Sequence, residues 1–209
     1  MQISLKWINE LVNIEKIKLD TLVEKLTLGG FEVEEILELE INKQTQIILD
    51  ISATANRSDS LSVYGISTEI ATLLDQPLKI SKFAGKNNNW KSILESKKTF
   101  FSDLTNCSMF IAVVIENVNN KIVPKWITEK LRLSNLVPSN SLLDFQNYIL
   151  LETGYPFEFY DLEKIYSEIK DSNFNLSIKT VKSNQKFLAS NGISYELDNS
   201  ILTVNANDV

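Results

Sequence analysis

The chain has 209 residues, 44% of them hydrophobic and 23% charged, which is ample for one large domain or for two of about 100 residues each. Its single cysteine excludes an internal disulfide, and the lack of histidine removes Ser-His-Asp and Cys-His catalysis, His-based zinc sites and the usual proton shuttle near pH 7. A net charge of −6, from 27 acidic and 21 basic residues, is the wrong sign for a free-standing nucleic-acid binder, although a local patch can touch RNA while a partner does most of the holding.

No apolar run approaches the roughly 18 residues that a bilayer requires. The opening residues Met1 to Trp7 lack a long apolar stretch and a small-residue cleavage site, and Glu10 and Glu15 come early. Neither a secretory leader nor an Arg-rich transit peptide is expected from them.

In chain order, Ser4 is placed to cap a short helix carrying Leu5, Trp7, Ile8 and Leu11. Asp20 is expected to cap a second helix, with Leu22, Val23 and Leu26 at helical spacing, and Gly29-Gly30 end it. Phe31, Val33 and Ile36 then near-alternate with Glu32 and Glu34 as in a strand. Residues 38–46 suit either a hairpin or a link, and 47–51 read as a buried strand. Residues 53–62 are small and polar, a loop from which Ser58 or Asp59 starts a helix reaching about Leu74, with Val63, Ile66, Ile70 and Leu73 as its apolar stripe. The Lys- and Asn-rich stretch 81–104 is taken as a linker.

Beyond it, 110–115 reads as a buried strand by length and β-branching. Pro124 suits the first turn of a helix containing Trp126, Ile127 and Leu131. A further helix covers 143–151 and stops at Gly154, and Asp161 caps another that runs through Ile165. The remaining residues read as strands around Ile178, Leu188, Leu197 and Val204, with a turn at Asn191-Gly192. Without regular βαβ alternation, the class is α+β in two mixed helix and strand modules.

Catalytic constellations are scarce. No glycine-rich phosphate loop occurs, nor a dinucleotide fingerprint. In Asn56-Arg57-Ser58-Asp59, Arg57 offers a donor fork for phosphate or carboxylate. The reading that suits a loop-to-helix junction better is that Asn56 takes turn geometry, Asp59 caps the helix and Arg57 pairs with a carboxylate of its own chain. Asp144 and Asn147 share a helix face, placed either to orient a ligand or to bond a neighbouring loop. Tyr148, Tyr155, Phe157, Phe159 and Tyr160 have no Lys or Arg interleaved among them, which favours core or interface over base stacking. Cys107 is expected to be a buried structural thiol.

Three ordered blocks carry a resemblance. Met1-Gln2-Ile3-Ser4-Leu5-Lys6-Trp7-Ile8, with Lys25-Leu26-Thr27-Leu28-Gly29-Gly30-Phe31-Glu32-Val33-Glu34, resembles the opening of bacterial-type phenylalanyl-tRNA synthetase beta subunits. Asn56-Arg57-Ser58-Asp59 through Gly65-Ile66, with Glu69, is similar to that family's Asn-Arg-Pro-Asp stretch. The block from Leu143-Asp144 through Asn147, Glu152 and Gly154-Tyr155-Pro156-Phe157, completed by Asp161, matches its third motif.

The resemblance implies an (αβ)2 enzyme that attaches phenylalanine to tRNA(Phe) using ATP and Mg2+, with ligation in the alpha subunit. The beta subunit of the family contributes assembly, tRNA contacts and an editing pocket that hydrolyses misattached tyrosine. By this likeness, residues 1–80 form a B1-like domain and 105–209 the beginning of a B3/B4-like editing module. An inserted OB-like tRNA-binding domain is missing near 40–46, as in shortened beta subunits encoded in some plastids. Asn, Ile, Lys and Leu usage fits AT-rich coding DNA, as in plastids or reduced bacterial genomes.

Several positions depart from the family. Ser58 replaces its proline, Tyr155 its glutamine, Glu158 its histidine, and Phe159-Tyr160 its Ala-Phe. These changes count against editing by this chain, as does the expectation that the rest of the editing module lies after Val209.

The resulting expectation is a beta-subunit portion in a plastid stroma or bacterial cytoplasm. Its partners are the alpha subunit and, through the assembly, tRNA(Phe), with no membrane and no DNA. ATP and Mg2+ belong to the holoenzyme, and no catalytic, cofactor or metal residue is assigned here. Asn56, Arg57, Asp59, Gly65, Gly154, Pro156 and Asp161 are its structural motif residues. One alternative is a residual editing hydrolase with a pocket around Asp144, Asn147 and Glu158. The other is a free-standing protein–protein module.

Overall fold

A computed structural model describes residues 1–41, 43–79, 107, 110–115, 118, 123–170, 175–181, 185–189 and 192–207, and the backbone of 99–100. Contacts divide the chain into two units, Met1–Lys86 with Asn119–Phe159 and Asn87–Val118 with Tyr160–Val209. The class is α+β, and the named strand pairs are all antiparallel among the described residues.

The first unit begins with strand β1 (Gln2–Ser4), which turns directly into helix α1 (Leu5–Leu11). Ser4 makes the junction, its Oγ accepting from the Trp7 N–H at 3.2 Å. Helix α2 (Leu19–Leu28) starts after Lys18, which gives no side-chain cap. Asp20, expected as the cap, instead lies inside the first turn, where its charge favours the positive end of the helix dipole. At the far end Gly30 takes the left-handed conformation (φ +87°), whereas Gly29 stays helical.

Strands β2 (Phe31–Ile41) and β3 (Gln44–Ala53) form one long hairpin, in register from Phe31 opposite Ala53 to Ile41 opposite Gln44, with a bulge between Val33 and Glu35. Of the two options for 38–46, the hairpin is therefore the one formed. Lys43, at φ +62°, lies in the turn between the two strands. β1 joins the other side of β3, giving the order β1-β3-β2. Ile3, Phe31, Leu49 and Ile51 bury themselves against the helices.

A 3-10 turn (Ser58–Ser60) precedes helix α3 (Val63–Leu73). The helix starts at Val63 and not at Ser58 or Asp59, because Ser62 is the residue that caps it, its Oγ accepting from the Gly65 N–H at 3.0 Å. After α3 the chain passes α1, where Lys79 N–H donates to the Leu11 carbonyl at 2.6 Å.

Helices α4 (Lys125–Leu133) and α5 (Leu142–Thr153) complete this unit. Pro124 stands at the start of α4, where a missing N–H costs nothing. Gly154, at φ +79°, ends α5. Ile127, Leu131 and Tyr148 from these two helices belong to the same buried cluster as Ile3, Trp7, Ile8, Phe31, Ile66 and Ile70.

The centre of that junction is aromatic. Tyr148 stacks on Trp7 at 5.6 Å and 10°, and Trp126 meets Tyr148 edge-on at 5.0 Å. The Lys130 ammonium lies 4.6 Å from the Trp7 ring centre and 5.5 Å from those of Trp126 and Tyr148, and pairs with Glu10 at 2.6 Å. Burial first, then the hydrogen bond to Glu152 and the charges of Glu152 and Glu10, pushes the Tyr148 hydroxyl well above the usual phenol range. The phenol therefore stays neutral, and the positive charge facing the three rings is, among the described residues, that of Lys130.

The second unit is thinner. Strand β4 (Thr99–Phe100) pairs with β5 (Ala112–Val113), β6 (Leu176–Thr180) with β9 (Leu202–Ala206), and β7 (Gln185–Leu188) with β8 (Ser194–Leu197). The run 110–115, expected as a buried strand, is paired only at Ala112–Val113, and Ile111 and Ile115 are 49% and 56% exposed. β-branching specifies extended backbone, but burial requires a packed layer on each face, and this ladder is two residues long. The stretch 81–104 lies outside the described residues except for β4. Helix α6 (Leu162–Ile169) starts where expected, with Asp161 Oδ1 accepting from Glu163 N at 3.0 Å and Lys164 N at 3.4 Å. The β7–β8 turn uses Gly192 at φ +78°.

Lys130→Met keeps the aliphatic stem but removes the charge. It should lower unfolding stability by about 1–3 kcal/mol in a urea titration and shift tryptophan emission. An unchanged midpoint would mean that the rings pack equally well without the ammonium.

Candidate functional site

The loop between β3 and α3 holds the densest polar geometry in the first unit. Its turn is set by Arg57 N–H donating to the Thr54 carbonyl at 2.9 Å, while Thr54 Oγ1 donates to Asn56 Oδ1 at 2.7 Å. Arg57 then folds back over its own loop. Nε and Nη2 reach the Asp59 carboxylate at 3.1 and 2.9 Å, and Nη2 also reaches Glu69 at 2.7 Å and Ser60 Oγ at 3.2 Å. The guanidinium lies 5.0 Å from the centre of the Phe31 ring.

This is the intrachain pairing, with one change from expectation. Asp59 does not cap α3, because its carboxylate is drawn to Arg57 and Ser62 takes the capping role. The hydrogen bonds it donates to Asp59 and then Glu69 push the Arg57 guanidinium above its already high range, and the bond from Arg57 holds the Asp59 carboxyl below its usual one. The cation is thus fixed by two carboxylates and a ring.

Gly65 is explained by space. A Cβ there would lie 2.1 Å from the Asp59 carbonyl oxygen and 2.9 Å from Ser60 Cα, so the loop can cross the first turn of α3 only over a glycine. Asn56, Arg57, Asp59 and Gly65 therefore form one construction. Ser58 fits it without a proline ring, since the 3-10 turn closes through Ser60 N–H to the Arg57 carbonyl at 3.0 Å. Gly154 approaches the same region from α5, with a built Cβ 3.4 Å from that of Ser62.

Asp144 is 1% exposed and committed to its own loop. Oδ1 accepts from Ser139 N at 2.8 Å and Ser139 Oγ at 2.9 Å, and Oδ2 accepts from Asn140 N at 2.9 Å. Asn147 is half-buried one turn further along α5, and Glu158 is exposed on the segment that contains Pro156. That segment is tied to α5 by Gln146 Nε2 donating to the Phe157 carbonyl at 2.9 Å. Among the described residues, no group of three or more His, Cys, Asp or Glu side chains is placed to hold a metal ion.

The aromatic residues separate by environment. Tyr148 is core, Phe157 and Phe159 meet edge-on at 5.1 Å, and Tyr155 is 77% exposed. Cys107 is half-buried. A lysine does sit over one of these rings, but it comes from α4 and so lies outside the sequence around Tyr148. The available signal was the four-residue spacing of Trp126 and Lys130 on one helix face.

A cavity of about 160 Å³ opens beside Lys130 and is lined by Trp7, Glu10, Gln46, Trp126 and Glu129 among others. Its lysines, Lys6 and Lys130, face as many glutamates, Glu10 and Glu129, so it offers no net positive field for phosphate.

A family model described as the B3/4 domain matches residues 106–209. Over 209 residues the chain is 56% identical to the chloroplastic phenylalanine–tRNA ligase beta subunit of Phaeodactylum tricornutum, covering 100% of this chain and 30% of that one. It is 32% identical over 210 residues to the chloroplastic phenylalanine–tRNA ligase beta subunit of Porphyra purpurea, covering 100% and 29%. To the phenylalanine–tRNA ligase beta subunit of Trichormus variabilis it is 32% identical over 185 residues, covering 88% and 22%. The chain thus spans less than a third of the length of these relatives.

Gly65→Ala should destabilise the fold by about 2–3 kcal/mol, because the colliding atom is backbone and cannot rotate away. A wild-type urea midpoint for this variant would refute the close crossing. Asp144→Ala leaves buried donors without an acceptor and should cost roughly 3 kcal/mol, with Asp144→Asn losing less, as read by the same titration. The Asp59 contribution is full above the unfolded-state value of about 3.9 and is lost as pH falls through the lower folded-state value. Stability profiles of wild type and Asp59→Asn should accordingly converge in acid and separate above about pH 4. The gap should be small and shrink with salt, because Asp59 is largely exposed. A difference that ignored pH would exclude the carboxylate as its source.

Proposed function

This chain belongs to the phenylalanine–tRNA ligase beta-subunit family, matching the N-terminal portion of its members, and we propose that it serves that enzyme as a folding and contact portion. The observation that carries the reading is 56% identity sustained over all 209 residues to one such subunit. In this role the chain joins an alpha subunit in an (αβ)2 assembly, and that assembly attaches phenylalanine to tRNA(Phe).

ATP and Mg2+ are assigned to the holoenzyme and ligation to the alpha subunit. Support comes from where the ordered polar groups spend themselves. Arg57, Asp59, Glu69 and Asp144 are bonded within the first unit and hold loops in place. The net charge of −6 supports contact with tRNA through the assembly in preference to capture by this chain. The proposed compartment is the plastid stroma, following the relatives named chloroplastic, with a bacterial cytoplasm as the alternative for the same family. Residues 1–80 are proposed as the B1-like portion, 81–104 as the linker and 105–209 as the beginning of the B3/B4-like module, the last supported by the match over 106–209.

That match also favours a second reading, hydrolysis of mischarged Tyr-tRNA(Phe) in a pocket around Asp144, Asn147 and Glu158. The commitment of Asp144 to three donors of its own loop weighs against it, because a carboxylate so engaged is poorly placed to take a proton or orient water. A free-standing protein–protein module is the remaining alternative.

Affinity capture of the tagged chain from its own cells distinguishes them. Co-purification of an alpha subunit, with ATP- and Mg2+-dependent phenylalanylation by the complex and none by the isolated chain, is the expected result. Release of tyrosine from Tyr-tRNA(Phe) by the isolated chain would establish the hydrolase instead. Recovery without any alpha subunit or charging activity would leave the module reading.

A further inference from the structure

We draw no further inference here: the strongest candidate, the apolar cavity of about 250 Å³ in the second unit between helix α6 and the β6–β9 pair, lined by Ile165, Ile169, Leu176 and Val204, is an unpartnered apolar face and nothing in the structure shows what covers it.

Discussion

The stack of Trp7 on Tyr148 is the contact on which the first unit is organised, because it joins the first helix of the chain to α5. Trp7 is almost wholly buried, and part of its cover comes from Tyr148 and Lys130 on the two later helices. Covering it draws α4 and α5 onto the N-terminal elements, so that Ile127, Leu131 and Tyr148 share a core with Ile3 and Phe31. Lys130 seals the edge of this packing. Its stem lies along apolar surface while its ammonium faces three rings and Glu10. A compact unit is thereby assembled from two stretches of chain, with Asn87–Val118 between them assigned elsewhere.

A second constraint orders the loop after β3. Arg57 bridges Asp59 and Glu69 and rests on Phe31, so one side chain ties the loop, α3 and the start of β2 together. Each bond of an exposed ion pair contributes little by itself, but the fork fixes a planar group and so fixes the backbone that carries it. Gly65 is the steric counterpart of this fork, because the loop pulled in by Arg57 crosses α3 where no side chain fits. The polar groups of this loop are therefore accounted for by folding, since the Arg57 fork is taken up by Asp59 and Glu69.

The units differ in how they are stabilised. The first buries a continuous apolar cluster under helices on one face of a sheet. In the second, Leu197 is the only buried hydrophobic side chain among the described residues, and its strands occur in pairs, with Phe187, Leu188 and Tyr195 exposed on β7 and β8. Two-stranded pairs bury little surface and are marginal in water. Cooperative unfolding of this chain therefore reports chiefly on the first unit, and the proposed assembly role rests on a framework whose best-packed part lies there.

Local signals in the sequence determined a good deal. Ser4, Asp161, Pro124, Gly30 and Gly154 mark helix ends because capping and left-handed geometry depend on the residue itself and on neighbours within one turn. The period of the apolar residues likewise located the helices and the two strands around Val33 and Leu49, while the hairpin joining them stayed open, and three motif blocks pointed to the family. Tertiary structure decided what those elements touch. Asp20 lost the capping role because the helix starts one residue before it, at Leu19, and Asp59 yielded its role to Ser62 because its carboxylate went to the stronger donor within reach, Arg57. Burial of 110–115 failed because β-branching describes a backbone and not the layer above it. The place of Lys130 against Trp7 and Tyr148, and of α4 and α5 in the first unit, was likewise settled by packing between residues far apart in the chain, of which the local spacing of Trp126 and Lys130 shows only one edge.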